Sequence, residues 1–504
     1  MRRPRAVRSS WQSIASVVLT LLCAAPTLAQ YTRTDHFDGS VATLRRCVIP
    51  SEKREHHALI VSLRALKDPA LKPFFEALTR SSDWSSRVDG ILGLAELSPT
   101  RDIDASLVER LASTEDRSTA IRNAVGFRLL SPGTIRRLLA VPDLAALDRV
   151  VLNAELHRLG EPVDAAALRA AANDPTEEVA ALASALLLAS DGAEAWDAFE
   201  ARLAQRTPEV RNLVLQEIAR AVLLYSITGA VDRVLRLAED ASYTLPTRMM
   251  VNGTALALAP RAGQEAWKRL AQSERSQSAL VRSGIQLMSQ TVPIDPGLGS
   301  AIRNGEPLVE AIADAIEANA SGDPEALATA LTVVIDRANR QSAEWAVQRA
   351  AALPAPHAAR VWRHLLERFL SAPENSLALG AVVLDAARRL AASDPASMEQ
   401  LFTLAKNEPQ VQEIFVLALC DAATPEAATV ARRVRGTFTR RGEALAVLAI
   451  ARGESKLDDA TLKELGIIGA GGGDLDPTLL VQAAWLFARH SARADQALAQ
   501  VNPQ

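Results

Sequence analysis

The stretch Asp83–Thr100, DWSSRVDGILGLAELSPT, sets the pattern for the whole chain. Taking Val88 as reference, Ile91, Leu92 and Ala95 follow at i+3, i+4 and i+7. That spacing puts four apolar side chains on one helical face. Asp83 precedes the run, where a short acidic side chain caps the free amides of a first turn.

The same template returns along the chain. It fits Ile121, Ala124 and Val125, then Val179, Leu182, Ala183 and Leu186. It fits Val210, Leu213 and Val214, with Glu217 in the fourth place. Further copies start at Val281 and Val411, and the last at Leu480. Val88 and Ile121 are 33 residues apart, Val179 and Val210 are 31 apart, and the longer gaps are near multiples of about 30. Recurrence at this period is the mark of a solenoid. Asp116 and Asp174 repeat the place of Asp83, and Pro175, Pro208, Pro409 and Pro477 stand near other helix starts, where a missing N–H loses no partner. Arg122, Arg211 and Arg282 each follow their reference residue.

Between these copies lie second helical stretches, such as IDASLVERLAS (103–113) and WDAFEARLAQ (196–205). Each unit is therefore a helix hairpin with one apolar side, which is stable only when stacked on its neighbours. The predicted fold class is all-α, an α-solenoid of stacked antiparallel hairpins forming a curved superhelix. Composition agrees: hydrophobic residues make up 48% of the 504 residues and aromatics only 4%, which favours helix over sheet.

The acidic or proline start, the Val-Arg step and the apolar face of TPEVRNLVLQEIARAVL (207–223) resemble HEAT repeats of the short bacterial kind. The resemblance is clearest over 83–290. It implies a ladder of Asp and Arg side chains along the inner turns, carried here by Asp83, Asp116, Asp174, Arg122, Arg211 and Arg282. Asp89 and Ala180 stand where the family has Arg, so such a ladder is incomplete. Tetratricopeptide repeats fit less well, since only three tyrosines are present.

The first residues read differently. A basic start with Arg2, Arg3, Arg5 and Arg8, an apolar IASVVLTLLCAA and small residues at Thr27 and Ala29 make residues 1–29 a secretory signal peptide. Its loss takes the formal net charge from −3 to −7, because no acid is removed with those four arginines. An acidic mature chain has no electrostatic footprint for nucleic acid. No apolar run beyond the signal is long enough to span a membrane. The expected location is exported, periplasmic or extracellular.

The divisions expected downstream are an irregular leader or cap over 30–54, a HEAT-like solenoid over 55–290 and a turn-rich interruption over 291–307. Continued helical repeats follow over 308–468, then a glycine-rich joint with capping helices over 469–504. Cys47 and Cys420, at opposite ends of an elongated fold, read as buried free thiols beyond the ~7 Å reach of a disulfide.

Motifs for chemistry are sparse. His36, Asp38, Cys47, His56 and His57 match no zinc spacing and read as exposed side chains near a helix start. His357 and His364 are about 10 Å apart on one helix face, too far to share a metal. GAGGGDLDP (469–477) lacks the strand and the Lys-Ser or Lys-Thr ending of a phosphate loop. No catalytic residue, metal site or cofactor is expected. The one charge anomaly is ARRVRGTFTRR, where Arg432, Arg433, Arg435, Arg440 and Arg441 have no acid among them and offer contact to an acidic partner or anion. The leading functional expectation is a non-catalytic scaffold or adaptor that holds a protein or peptide in its concave groove. The alternatives are a structural envelope component and an enzyme with an unrecognised site.

Overall fold

The computed structural model describes residues 36–501, apart from 49–52, 190–192, 289–293, 296, 338–339, 372–375, 437 and 473–474. The signal-peptide reading of residues 1–29 lies outside this range. Among the described residues every regular element is a helix and there is no strand. None of these helices is long and apolar enough to cross a membrane.

The helices are short because their ends are written locally. Asp83 accepts from the Ser86 amide at 2.8 Å and starts the helix Trp84–Leu97. Thr207 caps Pro208–Leu224, whose first residue is the proline that has no N–H to strand. Asp458 and Asp476 do the same for Asp459–Gly469 and Pro477–His490. Asp116 was expected to be a cap and is not. Ser113 takes that role, and Asp116 lies inside the first turn of Thr114–Gly126, facing the helix dipole. Asp174 accepts from the Thr176 amide in the turn before its helix.

Successive hairpins stack, and the template positions are mostly core. Val88, Ile91, Leu92 and Ala95 are buried, as are Ile121, Ala124 and Val125 and all of Val179, Leu182, Ala183 and Leu186. The solenoid curves until its ends meet. One hydrophobic cluster contains Phe37, Val41 and Leu44 together with Val481, Trp485, Leu498 and Val501. That cluster continues through buried residues of 59–78 and 256–475, and a second, from Val88 to Ala266, fills the remaining arc.

The closing contact uses residues that the sequence reading assigned otherwise. The expected irregular leader contains the helix His36–Arg45, which packs on Asp459–Gly469, Pro477–His490 and Ala494–Val501. The glycine-rich joint provides close approach. A Cβ on Gly469 would stand 2.8 Å from the Ala484 Cα, and one on Gly39 would stand 2.6 Å from the Ala470 Cβ. Only hydrogen at these two positions lets the helices touch. Polar contacts complete the seam. Asp68 Oδ2 accepts from Trp485 Nε1 at 2.9 Å and from Arg489 Nε at 3.1 Å, and Gln482 donates to the Ser62 carbonyl. The guanidinium of Arg493 lies 3.6 Å over the Phe37 ring. The ends are therefore not far apart as an open solenoid would hold them, although Cys47 and Cys420 are both buried and free. Within the predicted interruption, Leu298–Ile302 forms a short helix whose Leu298 and Ile302 join the core.

Candidate binding groove

Three helices from successive hairpins, Ala146–Arg158, Glu177–Leu188 and Pro208–Leu224, the last two carrying template copies, lie side by side. They belong to the concave layer. Arg128, at the end of Thr114–Gly126, donates to the Leu224 carbonyl at 3.2 Å, three helices of the same layer further on. Only inward curvature brings those ends within one side chain's length.

Between the three helices is a cavity of about 570 Å³. Leu147, Val151, Leu182, Val214 and Ile218 line it, and Val210, Leu213 and Leu224 form its lips. Val210 and Leu213 were expected in the core. Instead Leu213 is 60% exposed, and Val210 and Leu224 are also exposed. The helix Pro208–Leu224 buries a different face, Leu215, Ile218, Ala219 and Val222, so its apolar stripe is wider than packing requires. Clustered exposed side chains of this size mark a contact surface more often than scattered ones do.

The charges around the cavity are mostly acidic. Glu177 is paired with Arg206 at 2.7 Å and Glu217 with Arg220 at 2.8 Å. Glu178 is exposed and has no ion pair among the described residues. At the other end, the buried Glu155 carboxylate accepts from Arg128 at 2.9 Å and from Arg158 Nε at 2.8 Å. Burial, reinforced by Glu155, pushes the Tyr225 phenol up to about 12. The cavity thus offers apolar contact with carboxylates at its margin, and no paired nucleophile and base among its lining residues.

The arginine cluster is not an unpaired patch. Arg432 pairs with Glu454 and Asp458, Arg433 with Glu399, Arg435 with Glu443 and Glu464, and Arg441 with Glu413. Those acids come from sequence positions 399–464, outside the short window in which the arginines looked alone. Arg440 is exposed at the first position of Arg440–Gly453.

Ion pairs one repeat apart do run along the stack, through partly different residues from those expected. Arg122 reaches Asp148 at 3.1 Å and Arg211 reaches Asp240 at 2.9 Å. Asp116 receives Arg87 at 3.6 Å. Asp83 and Asp174 are used in their own turns, and Arg282 is half-buried in Gln277–Met288. The most buried rung is one that sequence reasoning missed. Asp89, where the family pattern has Arg, accepts from Arg64 at 3.0 Å and contacts His57 at 2.7 Å. Burial raises the Asp89 pKa, opposed by His57 and Arg64. His56 is not exposed: it is buried, with Nε2 2.6 Å from the Cys47 carbonyl. His357 and His364 pair with Glu325 and Asp336. Among the described residues the tryptophans are core side chains except Trp84, which is 37% exposed.

No family model matches the chain, and no curated protein matches it. Among solved structures, a homology model of the full-length AP-3 complex in an intermediate open conformation aligns with 98% of this chain and 99% of its own, at 13% identity and a TM-score of 0.34. A likeness of that size carries no argument about this chain.

Proposed function

We propose that this chain is an exported, non-catalytic scaffold of HEAT-like repeats that holds a protein partner on the concave face of its ring. The observation that carries the reading is the apolar cavity between Ala146–Arg158, Glu177–Leu188 and Pro208–Leu224, with Val210, Leu213 and Leu224 exposed at its lips. Full burial of a large aliphatic side chain is worth about 1.5–3 kcal/mol, and a partner that covers these partly exposed ones recovers roughly half of that for each. A repeat stack suits this role because its surface varies freely while its core holds the curvature. The envelope-component reading drew on the arginine cluster, whose charges are largely satisfied inside the chain, so no observation favours it.

The test is fractionation of native cells followed by affinity capture. The chain is expected outside the cytoplasm, beginning after Ala29, and bound to discrete proteins in stoichiometric amount. A chain retained in the cytoplasm would refute the export component. A chain recovered alone, at several salt concentrations and with chemical cross-linking, would refute the scaffold.

A further inference from the structure

The cavity on the concave face constrains what the partner brings to it. Along Pro208–Leu224 its lining includes Val210, Leu213, Glu217, Ala221 and Leu224. These recur every three or four residues over about fourteen residue steps, a face about 21 Å long at ~1.5 Å per residue. The walls are helices whose backbone groups are already paired along their length. An extended peptide laid here would find no free edge for its own N–H and C=O groups, whereas a helix satisfies them internally. The charge at the margin is one-sided. Three glutamates and one arginine line the cavity; Glu217 and Arg220 pair with each other and Glu177 pairs with Arg206, which leaves Glu178 as the unmatched charge. Glu178 is exposed without an ion pair among the described residues.

We propose that this groove takes an amphipathic helix of a protein partner, about four turns long, with an apolar face and Lys or Arg along its border. The apolar face covers Leu213 and Leu224, and the cationic border meets Glu178. This inference rests on the scaffold reading above and assigns the site and the chemistry of the partner to it.

The test uses the full chain and three fluorescein-labelled sixteen-residue peptides. The first has leucine at helical spacing with flanking lysines. The second has glutamate for every lysine. The third has the composition of the first with its leucines rearranged to break the helical face. Fluorescence anisotropy is expected to show the first binding at least tenfold more tightly than the other two. Leu213→Asp, at an exposed position that leaves the core intact, is expected to weaken that binding at least tenfold with an unchanged circular dichroism melt. Leu213→Met is expected to preserve it. The double variant Glu178→Lys, Glu217→Lys is expected to reverse the preference between the lysine and glutamate peptides.

Equal binding of the lysine and glutamate peptides overturns the proposal, as does binding unchanged by Leu213→Asp or no binding at all. Self-association of the wild-type chain that Leu213→Asp abolishes would assign the groove to a second copy and overturn it too. The scaffold reading fails separately. If proteins captured from cells stay bound to the Leu213→Asp chain, the scaffold stands and the groove assignment falls. If none is captured by the wild type either, both fall.

Discussion

Ring closure depends on two hydrogens where other residues carry a side chain, and Gly39→Val tests it directly. The Cβ of residue 39 would meet the Ala470 Cβ at 2.6 Å and the Ala470 Cα at 3.2 Å. Neither atom can rotate away, because an alanine has no flexible end. Relief requires the helix His36–Arg45 to move by about 1 Å, to the ~3.5–4.0 Å at which carbon atoms pack. Overpacking of this kind costs about 1–3 kcal/mol. Replacing glycine inside a helix returns about half a kcal/mol of propensity, so the net loss is expected near 1–2 kcal/mol. If that exceeds what holds the seam, the helix lifts off and the ring opens. The assay is guanidinium unfolding combined with a distance between spin labels on Arg46→Cys and Ala499→Cys, both exposed positions beside the seam. Gly126→Val serves as control, since nothing lies within 4 Å of its added Cβ. The reasoning is refuted if Gly39→Val keeps both the short label distance and the wild-type unfolding midpoint.

Glu155→Gln removes a buried carboxylate that two arginines share. It is expected to destabilise the fold by about 2–3 kcal/mol, less than a fully buried pair would lose because Arg128 and Arg158 keep some water; chemical denaturation reads it. Burial pushes the Cys47 thiol up to about 12 and Cys420 up to about 11. A chain beginning after Ala29 should therefore react with no thiol reagent at pH 8 while folded and with two equivalents in denaturant. Acid should destabilise the ring in a defined window. The Thr461 amide, the Thr461 hydroxyl and Arg432 hold Asp458 down to about 2, Ser242 and Arg211 hold Asp240 low, and Arg303 with the Gly305 amide holds Glu310 low. Folded carboxylates with depressed values contribute stability above their ordinary range and lose it as pH falls from near 4 toward 2. Thermal midpoints measured across that interval should decline more steeply than between pH 7 and 5. Asp89, raised by burial, works in the opposite sense.

What the sequence revealed was what neighbouring residues decide. The period near 30, the helix starts marked by Asp83, Pro208 and Pro477 and the burial of Val88, Ile121 and Val179 all follow from local spacing. Closure does not, because it sums a small rotation at every repeat and no single repeat contains it. The glycine at 39 gave no local signal, since its reason for being small is Ala470, more than 400 residues away in the chain, and Gly469 is pressed by the nearby Ala484 as well as by Ser40 across the seam. Val210 and Leu213 matched the template and were read as core; periodicity reports that a face is apolar, not that something covers it. One signal was present in the letters. Glu217 interrupts the fourth template position while Ile218 and Val222 continue on the adjoining face, and this marks a helix with two apolar sides. The arginine cluster misled for the opposite reason, since its acids lie outside the short run of letters, Glu443 in the following helix, Glu454 just after it, and Glu399, Glu413, Asp458 and Glu464 further away in the chain.

An open stack of hairpins has two frayed margins and can gain or lose one unit at little consequence to the others. This molecule has given up that freedom. With Trp485 and Arg489 both fastened to Asp68, the number of repeats and the bend of each must together complete one circuit. Inserting or deleting a single hairpin anywhere would leave a gap or an overlap at the join. The repeat count should therefore be a fixed property of this lineage, even where the letters within each repeat drift.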